Sequence, residues 1–142
     1  MLNEELIAPC GINCGLCHAY LADAKGIPKE RGKILHCTGC RPREKRCAYL
    51  KGHCELLGSG KIRFCFECAG FPCRRLVSLN RRYIRRYSIS PIQNLAEIDL
   101  IGVAKFLDRE RNRHKCPKCG GSVCMHNGKC YDCDAATDWR NR

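Results

Sequence analysis

At 142 residues, with 26 lysines and arginines against 14 acids, the chain has a formal charge of +12 and a length suited to one ordinary domain or two small lobes. Its 44% hydrophobic fraction includes 15 cysteines, so the other apolar residues make up about a third of the chain, thin for a conventional core. No apolar run approaches the roughly 18 residues of a membrane helix, and Met1-Leu2-Asn3-Glu4-Glu5 has neither the basic nor the apolar region of a secretory signal, so a cytoplasmic setting without membrane or secreted partners is expected.

Small folds short of apolar area draw stability from disulfides or from metal ions, whose binding energy becomes folding energy. Here the spacing favours metal. Five Cys-x-x-Cys pairs, at Cys14/Cys17, Cys37/Cys40, Cys65/Cys68, Cys116/Cys119 and Cys130/Cys133, let two thiolates reach one ion from a tight turn. The odd cysteine count and the missing signal also argue against a disulfide scaffold. An ion held by four thiolates carries about −2, so three filled zinc sites would halve the formal charge to about +6. What basic character remains is local.

Taken in chain order, Cys10-Gly11-Ile12-Asn13-Cys14-Gly15-Leu16-Cys17 reads as chelating turns that run into a short helix, His18 to Ala24, stopped by Gly26 and Pro28. Residues 33 to 73 are loop-rich and cysteine-rich, so metal is their expected organiser. Lys29, Arg31, Lys33, Arg41, Arg43, Lys45 and Arg46 form one basic stretch, relieved only by Glu30 and Glu44. From Cys73 to Tyr87 the residues Leu76, Leu79, Tyr83 and Tyr87 recur three or four apart, the stripe of an amphipathic helix. Arg74, Arg75, Arg81, Arg82, Arg85 and Arg86 fill its other face, as plain solvated surface or as contacts to an anionic partner. Ser90 as N-cap with Pro91 at the first position predicts a helix burying Ile92, Leu95 and Ile98. Another is predicted from Gly102 to Arg113, burying Val103, Phe106 and Leu107, and these helices are expected to supply the only conventional core.

Cys116-Pro117-Lys118-Cys119-Gly120-Gly121 is a zinc knuckle, and Cys130-Tyr131-Asp132-Cys133 supplies its matching half across a connection long enough for a two-stranded ribbon. Cys124 and His126, on that connection, are expected to be bystanders. Among the earlier cysteines, Cys14 and Cys17 with Cys37 and Cys40 reproduce the spacing of a structural site. Cys10, Cys65, Cys68 and Cys73 are then a second ligand set, with Cys47 and Cys54 unassigned, although other pairings satisfy the same spacings. About three zinc ions are therefore expected, and the alternative is an iron–sulfur cluster at the N-terminal cysteines.

Cys10-x3-Cys14-x2-Cys17 has the spacing that radical S-adenosylmethionine enzymes use, but neither the length nor a strand pattern supplies their large barrel. No nucleophile elbow surrounds Ser59 or Ser122, no phosphate loop is present, and no Cys-x-x-Cys follows a βαβ pattern. The histidines at 18, 36, 53, 114 and 126 are scattered.

The run Ile7 to Cys17, then Cys37-Thr38-Gly39-Cys40-Arg41, then Phe64-Cys65-Phe66-Glu67-Cys68-Ala69-Gly70-Phe71-Pro72-Cys73, resembles the cysteine-rich prokaryotic family called domain of unknown function 3795, from about residue 7 to residue 107. The resemblance implies zinc or iron–sulfur binding and no established activity, and the last cysteines resemble a module appended to some members.

Together these features predict a small metal-stapled α+β protein. Its parts are a loop-rich cysteine-rich domain over 1–113, with a helical segment at 73–113, and a four-cysteine zinc ribbon over 114–142. The expected function is a non-enzymatic module binding nucleic acid or an acidic protein, the alternative being an iron–sulfur redox or oxygen-sensing protein.

Overall fold

Helices supply most of the regular structure in the computed structural model, which describes residues 4–28, 36–39, 41 and 54–137. Cys40, Cys47 and His53, and the basic stretch from Lys29 to Arg46 apart from Arg41, lie outside the described residues.

Helix α1, His18–Ala24, follows a short 3-10 turn, Cys14–Leu16, whose N-cap Asn13 accepts a hydrogen bond from the Gly15 amide at 3.1 Å. It ends as expected: Gly26 has φ of 66° and the Ile27 amide returns to the Ala22 carbonyl at 2.9 Å, closing the last turn. A single-turn helix, α2 (Glu55–Gly58), precedes the 3-10 turn Cys65–Glu67. The Glu67 carboxylate anchors that turn by accepting from the amides of Arg63 at 2.8 Å and Phe64 at 2.7 Å. Then come α3 (Arg74–Tyr87), α4 (Pro91–Ile101) and α5 (Val103–Arg113).

The α3–α4 corner is fixed by polar chemistry. The Ser90 hydroxyl accepts from the Gln93 amide at 3.1 Å, capping α4. It also donates to Asn80 Oδ1 of α3 at 2.8 Å, and the same oxygen accepts from the Ile92 amide at 3.0 Å. Gly102, at φ of 86°, then turns α4 into α5.

The core is shared more widely than helical periodicity predicts. Leu76, Leu95 and Phe106 come from α3, α4 and α5, but Ile7, Leu16, Val123 and Met125 are equally buried and belong to the same cluster. The Met125 amide donates to the Leu16 carbonyl at 2.9 Å, and Val123 to the His114 carbonyl at 2.7 Å, so both chain ends pack onto the helices. Among the described residues, β structure consists of four isolated antiparallel bridges, Ile7 with Asn13, Lys115 with Ser122, Val123 with Cys130 and Lys129 with Ala136. The last three lie between Lys115 and Ala136, and the two-stranded ribbon expected across the Gly120–Lys129 connection goes no further than the single Val123–Cys130 bridge.

Gly11 marks the closest approach of the N-terminal loop to α4. Its φ is 90°, and a methyl group there would lie 2.6 Å from the Pro91 carbonyl oxygen. Asn94 meanwhile donates from Nδ2 to the Gly11 carbonyl at 3.0 Å. Gly11→Ala should therefore cost stability on the order of 2–3 kcal/mol in denaturant unfolding. Gly26→Ala, also at positive φ but with no atom within 4 Å of the new methyl group, should cost about 1 kcal/mol.

Candidate metal centres

The C-terminal cysteines converge most closely. Cys116 and Cys133 have sulfurs 3.7 Å apart, Cys119 and Cys130 3.5 Å, and all four lie within 4.8 Å of one another. A tetrahedron with metal–sulfur bonds of about 2.3 Å has edges of about 3.8 Å, so the donor set fits one metal ion. The turns that bring them together have matching parts. In the first, the Gly120 amide donates to the Cys116 carbonyl at 2.9 Å and the Gly121 amide to Cys119 Sγ at 3.4 Å. In the second, the Asp134 amide donates to the Cys130 carbonyl at 2.8 Å, with Asp134 at φ of 61°. The backbone amide of Cys119 pulls the Cys116 thiol down to about 6. Cys119, against the Gly121 amide, is pushed up to about 12 by the Cys130 sulfur and by burial, the opposite shifts of close sulfurs that cannot all ionise without a cation among them.

Cys54, Cys65, Cys68 and Cys73 line a second site, a cavity of ≈ 70 Å³ whose other walls are Leu57, Ile62, Phe71 and Leu76. Cys65, Cys68 and Cys73 were expected to share ligation with Cys10, but Cys10 does not line this cavity and Cys54 does. Burial first, then the nearby Cys73, Cys54 and Cys68, push the Cys65 thiol up to about 12. The Gly70 amide donates to Cys68 Sγ at 3.4 Å.

Of the expected N-terminal set, Cys14 is buried while Cys17 and Cys37 are half-buried. The Cys37 amide donates to the Ala19 carbonyl at 3.2 Å, drawing its segment against α1, and the Gly39 amide donates to Cys37 Sγ at 3.4 Å. Burial raises the Cys17 thiol to about 11, aided by nearby Cys37 and Cys124. Arg41 is not a free surface charge: Nε donates to the Ile7 carbonyl at 2.7 Å and an Nη to the Arg63 carbonyl at 2.8 Å, and its guanidinium lies 4.7 Å from the Phe64 ring centroid.

His126, expected to be a bystander, instead meets α1. Its Nδ1 lies 3.0 Å from His18 Nδ1 and accepts from the His18 amide at 3.3 Å, while Nε2 lies 3.4 Å from the Tyr83 hydroxyl. One tautomer satisfies these contacts, with His18 donating to His126 Nδ1 and His126 Nε2 carrying its own proton. Cys17 Sγ is within 4.8 Å of both rings, close enough for the three to share an ion. Nothing local in the sequence announces this meeting across 108 positions. The signal for Cys54 is equally faint, since it has no x-x partner.

The six arginines of α3 are all exposed. At 3.6 residues per turn they fall within an arc of about 140°, with Leu79 at its edge and Leu76 and Tyr83 beyond it. Arg74, Arg81, Arg82, Arg85 and Arg86 form no ion pair among the described residues, whereas on α5 Arg109 and Arg113 pair with Glu97, and Arg111 with Asp108.

The assembly is that of a small, helix-rich, cysteine-rich protein with sites that can hold metal, and no helix among the described residues is long and apolar enough to cross a membrane. The chain belongs to the family described as Protein of unknown function (DUF3795), which matches residues 6–78. That match takes in the cysteines from Cys10 to Cys73 and stops before the C-terminal four. No curated protein matches the chain, and no solved structure does.

Two predictions follow from the geometry. Cys116→Ser should remove one metal ion per chain by elemental analysis and expose the segment after His114 to protease, whereas Cys124→Ser, outside the four-sulfur set, should keep that ion. Burial, then the charge of His18, lower His126 from the usual 6.5 to about 4. The unfolded chain thus takes up this proton before the folded one does. The stabilising contribution is complete above about pH 6.5 and is lost as pH falls towards 4. His126→Asn should flatten the dependence of unfolding free energy on pH across that window by about one proton.

Proposed function

We propose that the protein is a zinc-stabilised, non-enzymatic binding module that presents the arginine face of α3 to nucleic acid. The observation that carries this reading is the contrast between helices: α5 neutralises its arginines with its own and α4's acids, while on α3 Arg74, Arg81, Arg82, Arg85 and Arg86 form no ion pair among the described residues. Guanidinium groups match phosphate oxygens with paired donors, and the row from Arg74 to Arg86 extends about 18 Å along the helix, enough to track several phosphates.

Zinc is the metal we assign to Cys116, Cys119, Cys130 and Cys133, in a ribbon-like site within 114–142. Four thiolates at tetrahedral spacing suit an ion with no redox role and no need of an open position. Cys14, Cys17, Cys37 and Cys40 form the second proposed zinc set, within a cysteine-rich region over 1–113. Reduced thiols in such numbers accord with a cytoplasmic setting.

The test is fluorescence anisotropy with labelled single-stranded and duplex oligonucleotides. With about four phosphates neutralised, affinity should fall on the order of 100-fold between about 50 and about 200 mM salt. Arg82→Glu with Arg85→Glu should lower the salt slope by about 2. No binding at low salt, or equal binding by the double variant, would refute the nucleic-acid reading, and capture of polyglutamate alone would point to an acidic protein instead.

A further inference from the structure

We propose that the cavity lined by Cys54, Cys65, Cys68 and Cys73 is the binding site of an iron–sulfur cluster, held by those four thiolates. It would occupy different cysteines from the C-terminal zinc set, and the inference is independent of the nucleic-acid reading.

Three elements aim the donors at one space. Cys54 is the N-cap of α2, Cys65 and Cys68 bracket the 3-10 turn Cys65–Glu67, and Cys73 is the N-cap of α3. The rest of the lining is Leu57, Ile62, Phe71 and Leu76, so no carboxylate, imidazole or amide side chain competes with sulfur. Soft donors with apolar neighbours select thiophilic metals; Cys65 is buried, Cys54 and Cys68 are half-buried and Cys73 is exposed.

Size decides between one ion and a cluster. A single zinc draws its four sulfurs to about 3.8 Å, the spacing of the C-terminal set. Among the described residues only two groups bring three or more ligand atoms within 4.8 Å of one another, and the cavity cysteines are not one of them. The four cysteines line, with Leu57, Ile62, Phe71 and Leu76, a cavity of ≈ 70 Å³, whereas one water needs only about 10–15 Å³ by that measure. In a cluster, the thiolates bind several irons bridged by sulfide, so the donors stand apart around the inorganic core.

Charge and hydrogen bonding agree. A cluster bound by four thiolates is anionic, and Cys73 places one ligand at the positive end of the 14-residue α3, next to Arg74 and Arg75. The Gly70 amide, 3.4 Å from Cys68 Sγ, supplies a hydrogen bond of the type that stabilises cluster thiolates.

The experiment is anaerobic reconstitution of the full chain with ferrous iron and sulfide. Wild-type protein should gain iron and acid-labile sulfide in equal amounts, with broad visible absorption. Cys54→Ser and Cys68→Ser should lose that absorption while keeping the C-terminal zinc; Cys119→Ser should lose the zinc and keep the absorption. Alkylation of reconstituted wild-type protein, mapped by mass spectrometry, needs no variant. Cys54, Cys65, Cys68 and Cys73 should be protected relative to protein given zinc alone. Wild-type protein that gains no acid-labile sulfide under these conditions, alkylation of the four in the coloured protein, or colour lost with Cys14→Ser but kept with Cys54→Ser would each overturn the proposal.

Discussion

A backbone amide pointed at a cysteine sulfur two residues earlier is the interaction on which the cysteine turns depend. It occurs at Gly39 onto Cys37, Gly70 onto Cys68 and Gly121 onto Cys119, each at 3.4 Å. In these three turns the donor is glycine, while the amides of Ala19 and Ala135 make the same contact to Cys17 and Cys133, so the turn geometry rather than the residue type carries it. The bond favours the charged thiolate that a metal needs and satisfies an amide that the tight turn would otherwise leave unpaired. Cysteine spacing in this protein is thus a backbone device as well as a ligand pattern.

Those turns do not hold the molecule together alone. A thin apolar supply is concentrated where it reaches furthest, with Ile7 and Leu16 from one end of the chain and Val123 and Met125 from the other, all buried with Leu76, Leu95 and Phe106. Arg41 reinforces the same joint by bonding the carbonyls of Ile7 and Arg63, and burial lowers its affinity for its proton. Amide–sulfur bonds shape the turns, and this shared core sets where they stand relative to α3 and α4.

The sequence was most legible where the chemistry is local. Ser90 and Pro91, Gly26, Gly102 and the three-to-four spacing of Leu76, Leu79 and Tyr83 announced the helices because caps, breakers and apolar stripes act within a few residues. The C-terminal four cysteines were legible for the same reason: two short turns carry all the ligands. What the sequence hid is long-range. Cys54 joins Cys65 across a loop, His126 meets His18 across most of the chain, and the core positions Val123 and Met125 have no helical period to betray them. The two-stranded ribbon expected from the length of the connection is not seen among the described residues, where only isolated bridges pair, since spacing fixes the turns but says little of pairing between them.

Two groupings of cysteines are built in unlike ways. In the C-terminal set each pair is hung from its own turn, and the turns face one another so closely that sulfurs meet at 3.5 and 3.7 Å. In the cavity only Cys65 and Cys68 share a turn, while Cys54 and Cys73 arrive from the starts of two helices whose positions are set by packing. Leu57 and Leu76, one turn into those helices, are buried at the cavity wall and keep the helix starts from closing in. Cysteines hung on facing turns meet at the spacing of a single ion. Cysteines carried by packed helices leave a wider space, and here that space opens beside the N-terminus of the arginine-bearing α3, so whatever fills it would set how firmly that helix is held.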